Sequence, residues 1–287
     1  LVGPNGAGKS TTMKILTTYL YPTSGHAVVG GHSVLTNPIE VRKRIGYLPE
    51  VLPLYLNMEV RTYLDFVGRA RGLTGARLTE RVEWVLDKCG LRPMYRKLIQ
   101  ELSKGYRQRT GLAQALIHDP DVVILDEPTS GLDPHQILEI RSLIRELSED
   151  KTVLLSTHIL QEVEAMADRI IIINRGSIVG DGTLNELREK AQERERSHIG
   201  VSSKHDGALS AIEDVDGVET VEKVEKKDKY DIYEVTAAPG RRIWRDLGNI
   251  AAEKGWTLCE LGEKPYSLEE TFLALTERQS LEERKGA

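Results

Sequence analysis

The sequence predicts an α/β fold built on a parallel sheet, followed by a small α+β domain. Three observations predict it. Strand-length apolar runs alternate with amphipathic helical stretches up to about residue 190, the pattern of a parallel sheet covered by helices. The run Val122-Val123-Ile124-Leu125 has no polar interruption, as a strand buried on both faces requires. After about Lys190 the order becomes strand, helix, strand, strand, helix, strand, the split βαβ of a ferredoxin-like domain.

Taken in order, Lys9 to Leu20 reads as a helix, with Met13, Leu16 and Leu20 on one face. A turn-rich stretch from Tyr21 to Gly31 surrounds a short strand, Ala27-Val28-Val29, and Ile45 to Leu48 is another strand. Val60, Tyr63, Leu64 and Val67 mark one amphipathic helix; Val82, Val85, Leu86 and Cys89 mark the next. A third helix spans Gly105 to His118 and stops before Pro120. Asp133, Pro134 and Gln136 form a helix start, with Ile137, Ile140, Ile144 and Leu147 as its apolar stripe. Strands over Thr152–Ser156 and Arg169–Asn174 flank a helix around Gln161. These elements define a first domain over 1–190, with a helical portion at about 53–120, and a charged linker at 191–196. A second domain covers 197–277, closing on a helix that Ser267 and Glu270 cap reciprocally. A charged tail, expected to fray, occupies 278–287.

The bulk composition narrows the function. Hydrophobic residues make up 40% and charged residues 29% of the 287, an ordinary globular balance. The longest aliphatic run, Ile170 to Ile173, is far short of the roughly 20 apolar residues that span a bilayer. No basic leader precedes an apolar stretch. Two cysteines, Cys89 and Cys259, build no disulfide framework and point to a reducing, cytoplasmic setting. A net charge of −5 gives no footprint for nucleic acid.

Chemistry enters at the first residues. Gly3-Pro4-Asn5-Gly6-Ala7-Gly8-Lys9-Ser10 fits G-x-x-x-x-G-K-[ST] at every fixed position. Its glycines let backbone N–H groups curl around phosphate oxygens, and the following helix aims its positive end at them. Lys9 brings a point charge to the β- and γ-phosphates, and the Ser10 hydroxyl is a ligand for Mg²⁺. With Thr11 next in the helix, Gly3 to Thr11 are the expected ATP-binding residues. Asp126-Glu127, at the end of the apolar strand, is the second element. Asp126 is placed to hold Mg²⁺ and Glu127 to act as general base on the attacking water. Seen alone, the same pair reads equally as two solvated carboxylates opening a loop.

The third element is Leu102-Ser103-Lys104-Gly105-Tyr106-Arg107-Gln108, which resembles the L-S-G-G-Q signature of the ABC ATPases. The resemblance extends from Leu1 to about Thr183, with the motifs in the family's order. It departs at Lys104 and Tyr106, where the family more often has Gly and Gln. The fold it implies is the P-loop cassette with a parallel core and a helical subdomain. The resemblance also implies that Ser103, Lys104 and Gly105 contact the ATP held by the opposite subunit. Thr129-Ser130-Gly131-Leu132-Asp133 resembles the D-loop, giving Ser130 and Asp133 a place at the dimer interface. His158, after Leu154-Leu155-Ser156-Thr157, resembles the histidine that senses the γ-phosphate. Ile45 to Glu50 aligns with the Q-loop, so Glu50 stands where a Gln usually meets Mg²⁺ and the coupling to the membrane half. Tyr47-Leu48-Pro49-Glu50 and Ser267-Leu268-Glu269-Glu270-Thr271-Phe272 are similar to the branch serving drug, sodium, copper and gliding-motility exporters.

The expectation is thus an ATPase that uses ATP and Mg²⁺ and pairs with a second copy of itself or a paralogous ATPase. It would drive a separate integral membrane permease from the cytoplasmic face. Catalysis is assigned to Glu127, His158 and Lys9, metal binding to Ser10, Asp126 and Glu50. The rival is a soluble ABC-type ATPase of translation or DNA maintenance, which is at odds with the single cassette and the absence of sustained heptads. A non-hydrolysing regulatory cassette would lack one of Lys9, Asp126 or Glu127, and all three are present. Because Leu1-Val2 is all that precedes the glycine loop, the reading also expects a cassette shortened at its start, without the aromatic that stacks on adenine.

Overall fold

The glycine loop delivers the chain into α1 (Lys9–Leu16), a helix shorter than the apolar spacing predicts. It ends because Thr18 turns left-handed, at φ 62°. The Thr18 and Tyr19 N–H groups then bond back to the carbonyls of Ile15 and Lys14, at 3.0 and 2.8 Å, which closes a Schellman motif. Leu20, expected on the buried stripe, is 41% exposed.

In the computed structural model, which describes residues 1–191, 194–202, 207–238 and 240–285, the chain forms two units, Leu1–Val179 and Gly180–Ala287. The first continues with β1 (Val28–Val29) and β2 (His32–Ser33), an antiparallel hairpin. The apolar pattern of the sequence marks only the first of these strands. The turn between them is Gly30-Gly31, both at positive φ, the conformation a two-residue hairpin demands. Next come α2 (Pro38–Arg44), β3 (Ile45–Leu48), α3 (Val60–Ala70), α4 (Gly75–Lys88), α5 (Lys104–Leu116) and β4 (Val122–Asp126). The unit closes with α6 (Pro134–Ser148), β5 (Thr152–Ser156), α7 (Leu160–Met166), β6 (Ile170–Asn174) and β7 (Ser177–Gly182), the division between units falling inside β7.

Strands β3, β4 and β5 lie parallel in that order. Val2 then bridges in parallel to Thr157, just past β5, and to Ile172 of β6. Its N–H donates to Ile171 and its carbonyl accepts from Ile173, both at 2.8 Å. The glycine loop therefore leaves the sheet at the carboxyl ends of its parallel strands, where ligands of open α/β sheets bind. Helices α3, α4 and α5 share one core with β4 and α6, centred on Leu64, Leu86, Leu112, Leu116 and Leu125. Cys89 is buried in it, and desolvation pushes its thiol up to about 12.

The second unit contains α8 (Leu184–Ala191), β8 (Arg196–Ser202), α9 (Ala208–Glu213), β9 (Val218–Lys226), β10 (Tyr230–Ala237), α10 (Trp244–Glu253), β11 (Leu258–Glu263) and α11 (Leu268–Lys285). Its antiparallel sheet runs β11-β8-β10-β9, and Ile199, Val201, Ile212, Tyr233, Val235 and Leu247 form its core. The division at 179/180 precedes the boundary expected near 190, because α8 packs on α11 of the same unit. The two ends of the expected linker belong to regular elements: Ala191 ends α8 and Arg196 begins β8, while Gln192 and Glu193 lie outside the described residues. Arg196, the first residue of β8, forks onto Glu270 with two bonds of 2.8 Å. The tail expected from Arg278 continues α11 to Lys285, a stretch rich in the strong helix formers Glu, Arg, Gln and Leu. Ser267 and Glu270 do form the reciprocal cap, at 2.7 and 3.1 Å.

Candidate phosphate-binding and hydrolytic site

The loop from Gly3 to Ser10 wraps the start of α1 against β6. A Cβ at Gly3 would lie 2.2 Å from the Ile173 carbonyl oxygen, so only glycine fits there. Lys9 is 6% exposed. Its ammonium donates to the carbonyls of Gly3 at 2.7 Å and Pro4 at 3.3 Å, and lies 3.9 Å from Glu127 Oε1.

Across from it, the end of β4 presents Asp126 and Glu127. Asp126 Oδ1 accepts from the hydroxyls of Ser10, at 3.3 Å, and of Ser156. Burial, with the Asp126 charge beside it, pushes the Tyr47 phenol up to about 12. Glu127 sits in a left-handed backbone conformation, φ 50°, uncommon for a residue with a side chain. That turn is held by its N–H, which donates to both the carbonyl (3.2 Å) and the hydroxyl (3.1 Å) of Ser156. It carries the Glu127 carboxylate to the imidazole of His158, with Nδ1 2.8 Å from Oε2.

A cleft of about 380 Å³ opens between these groups, lined by Asn5, Gly6, Ala7, Gly8, Lys9, Ser10, Thr11, Glu50, Glu127 and His158. Of the expected ATP-binding residues only Gly3 and Pro4 fall outside its lining; they stand behind it and engage Lys9 through their carbonyls. The oxygen donors of Ser10, Asp126 and Glu50 suit Mg²⁺. Among the described residues no three His, Cys, Asp or Glu side chains converge as a metal cage. Mg²⁺ is commonly held by one or two carboxylates together with substrate phosphates, so the donors present fit it.

Ser103, Lys104, Gly105, Ser130 and Asp133 do not line this cleft. The structure gathers them around the starts of α5 and α6. Ser103 caps α5, its hydroxyl accepting from Tyr106 N–H at 3.4 Å, and Asp133 caps α6 through Gln136 N–H at 2.9 Å. Gly105 lies so close to Gln136 that a Cβ would meet its side chain at 2.6 Å, and the Lys104 ammonium lies against Gly131. Sequence reasoning missed two residues here. Ser156 follows an ordinary strand pattern, and Glu162 looks like any acid on a helix face. Yet Glu162 is fully buried and takes hydroxyl bonds from Thr129 at 2.8 Å and Thr157 at 3.1 Å.

Known proteins place these features in a family. The model described as ABC transporter matches residues 1–130. A second, described as an AAA domain, putative AbiEii toxin, Type IV TA system, matches residues 98–164. An uncharacterized ABC transporter ATP-binding protein, YxlF of Bacillus subtilis (strain 168), is 36% identical over 95% of this chain and 88% of its own length. The daunorubicin resistance ATP-binding protein DrrA3 of Streptomyces coeruleorubidus is 37% identical over 74% of this chain and 66% of its own length. A solved ATP-binding subunit of an ABC transporter superposes with a TM-score of 0.60 at 31% identity, covering 66% of this chain and 79% of that one. Relatives of this kind disfavour a soluble ATPase of translation or DNA maintenance. The chain belongs to the ABC transporter ATP-binding proteins and is an ABC ATPase that binds ATP.

Proposed function

We propose that this chain powers an exporter: it hydrolyses ATP as one half of a head-to-tail dimer and drives a separate integral membrane permease from the cytoplasmic face. The observation that carries the reading is the convergence of Lys9, Glu127 and His158 on one cleft that Glu50 also lines. Names among the relatives, such as daunorubicin resistance, support the exporter branch.

The chain's own residues divide the work. The N–H groups of residues 5–8 cradle phosphate oxygens, and Lys9 exchanges its two carbonyl partners for them. Glu127 takes the proton of the attacking water, while His158 fixes the other carboxylate oxygen. Ser10 and Asp126 would hold Mg²⁺, which when bound would supply charge neutralisation at the phosphates. Ser103, Lys104 and Gly105 cap the nucleotide of the opposite subunit, which is a second copy or a paralogous ATPase, and Ser130 and Asp133 sit along that seam. Glu50 relays the state of the cleft to the permease.

Reconstitution tests the whole reading. The purified chain, combined with a candidate permease in vesicles, should show ATP-dependent substrate movement into vesicles whose cytoplasmic face is outward. ATP hydrolysis that no membrane partner ever stimulates would overturn it.

A further inference from the structure

The catalytic pair rests on a second, hidden carboxylate. Glu162, in the first turn of α7, has no exposed surface. Its Oε2 accepts from the Thr129 hydroxyl at 2.8 Å and from the Thr157 hydroxyl at 3.1 Å. Both threonines are 1% exposed. Thr129 stands two residues beyond Glu127, in the segment leading to Asp133, and Thr157 immediately precedes His158. The Thr157 hydroxyl oxygen also accepts from Ile159 N–H at 3.0 Å, so its proton is committed to Glu162. The other carboxylate oxygen faces Arg141 of α6 at 3.5 Å, whose buried Nε has no hydrogen-bond partner.

Such a pair is a costly way to hold a fold together. A buried charge with incomplete compensation is worth less to stability than apolar packing of the same volume. What it supplies is geometric: two hydroxyls meeting on one oxygen fix two loops relative to each other. Glu162 does not line the cleft and cannot touch nucleotide from where it lies.

We propose that Glu162 is a positioning residue, holding the Glu127 segment and the His158 segment in register through Thr129 and Thr157. The 2.8 Å contact between Glu127 and His158 is then set from behind, and movement of Thr129 toward a partner subunit is transmitted to His158. This rests on the roles proposed for Glu127 and His158.

Steady-state ATPase kinetics of the full chain test it, on Thr129→Ser, Thr157→Ser, Thr129→Val, Thr157→Val and Glu162→Gln, with Glu127→Gln as reference. Serine keeps the hydroxyl and valine keeps the shape. The expected result is kcat reduced about ten- to a hundred-fold in the valine and glutamine variants, since small misplacements of reacting groups cost that much. KM for ATP should stay within about two-fold, as none of the three lines the cleft. The serine variants should hold near the parental kcat. Folded valine variants with the parental kcat, or a loss that serine does not rescue, would overturn the inference. Should Glu162→Gln fail to fold, the four threonine variants still decide. An active Glu127→Gln would instead sink the assignment of the base.

Discussion

His158 Nδ1 and Glu127 Oε2 lie 2.8 Å apart, and the opposite Glu127 oxygen is 3.9 Å from the Lys9 ammonium. A carboxylate held between two nitrogen groups in a cleft lined by the glycine loop is fixed in direction while still able to accept a proton. Glu127→Gln keeps the shape and removes the basicity. Turnover should fall by about a hundred-fold or more, with ATP binding retained. In ATP and Mg²⁺ the variant should elute as a dimer on size exclusion, and near-parental hydrolysis would remove Glu127 from the base role.

Glu50 lines the same cleft from the loop after β3. Either a carboxylate or an amide oxygen can serve as a Mg²⁺ ligand, and a methyl group cannot. Glu50→Gln should therefore support transport, whereas Glu50→Ala should hydrolyse ATP with transport lost. Normal transport by both variants would reduce Glu50 to a loop carboxylate.

The second unit has its own core, and the described residues that line the cleft all belong to the first unit. Ile199→Ala, at a fully buried position of β8, should cost about 2–5 kcal/mol of stability. ATP affinity should remain parental, as titration with a fluorescent nucleotide would report. A parallel loss of affinity would mean that the second unit supports the site.

His118 gives the cassette a pH dependence. Its Nε2 lies 3.1 Å from the Ile45 carbonyl oxygen, and burial followed by the Arg71 charge lowers its pKa from 6.5 to about 4. The unfolded chain thus takes up the proton first. Stability is full above pH 6.5 and declines as pH falls toward 4, by roughly 3 kcal/mol from this residue. His118→Gln, which keeps a donor for Ile45, should lose that part of the slope in denaturant titrations across this range. An unchanged slope would show that the imidazole is not desolvated.

Thr18 is a β-branched residue in a left-handed conformation, and its buried hydroxyl has no hydrogen-bond partner. Thr18→Gly should stabilise the cassette by about 1 kcal/mol. That corresponds to roughly 2–4 °C in melting temperature for a unit of this size. A lower melting temperature would mean that the threonine methyl packs better than its backbone is strained.

The features legible in the sequence are those whose cause is local. The glycine loop, the Asp133 cap and the Ser267–Glu270 box each depend on residues within a few positions, so the order of residues alone announces them. Glu162 is invisible there because its partners, Thr129 and Arg141, are brought to it by the fold. Ser156 joins Asp126 and Glu127 only when β4 and β5 lie side by side. The early end of α1 is hidden for a different reason: apolar spacing favours continuation to Leu20, while the Schellman turn at Thr18 stops it without the glycine that usually announces one.

The burial of Cys89 has a practical consequence. Thiol-directed dyes react with exposed thiolate, and Cys89 offers neither exposure nor, with its thiol near 12, an appreciable thiolate fraction at neutral pH. Cys259, on β11, is exposed. Since the chain has only these two cysteines, a maleimide fluorophore added to the native protein attaches at one defined point on the second unit. Distance measurements from that point during turnover then become possible without altering a single residue.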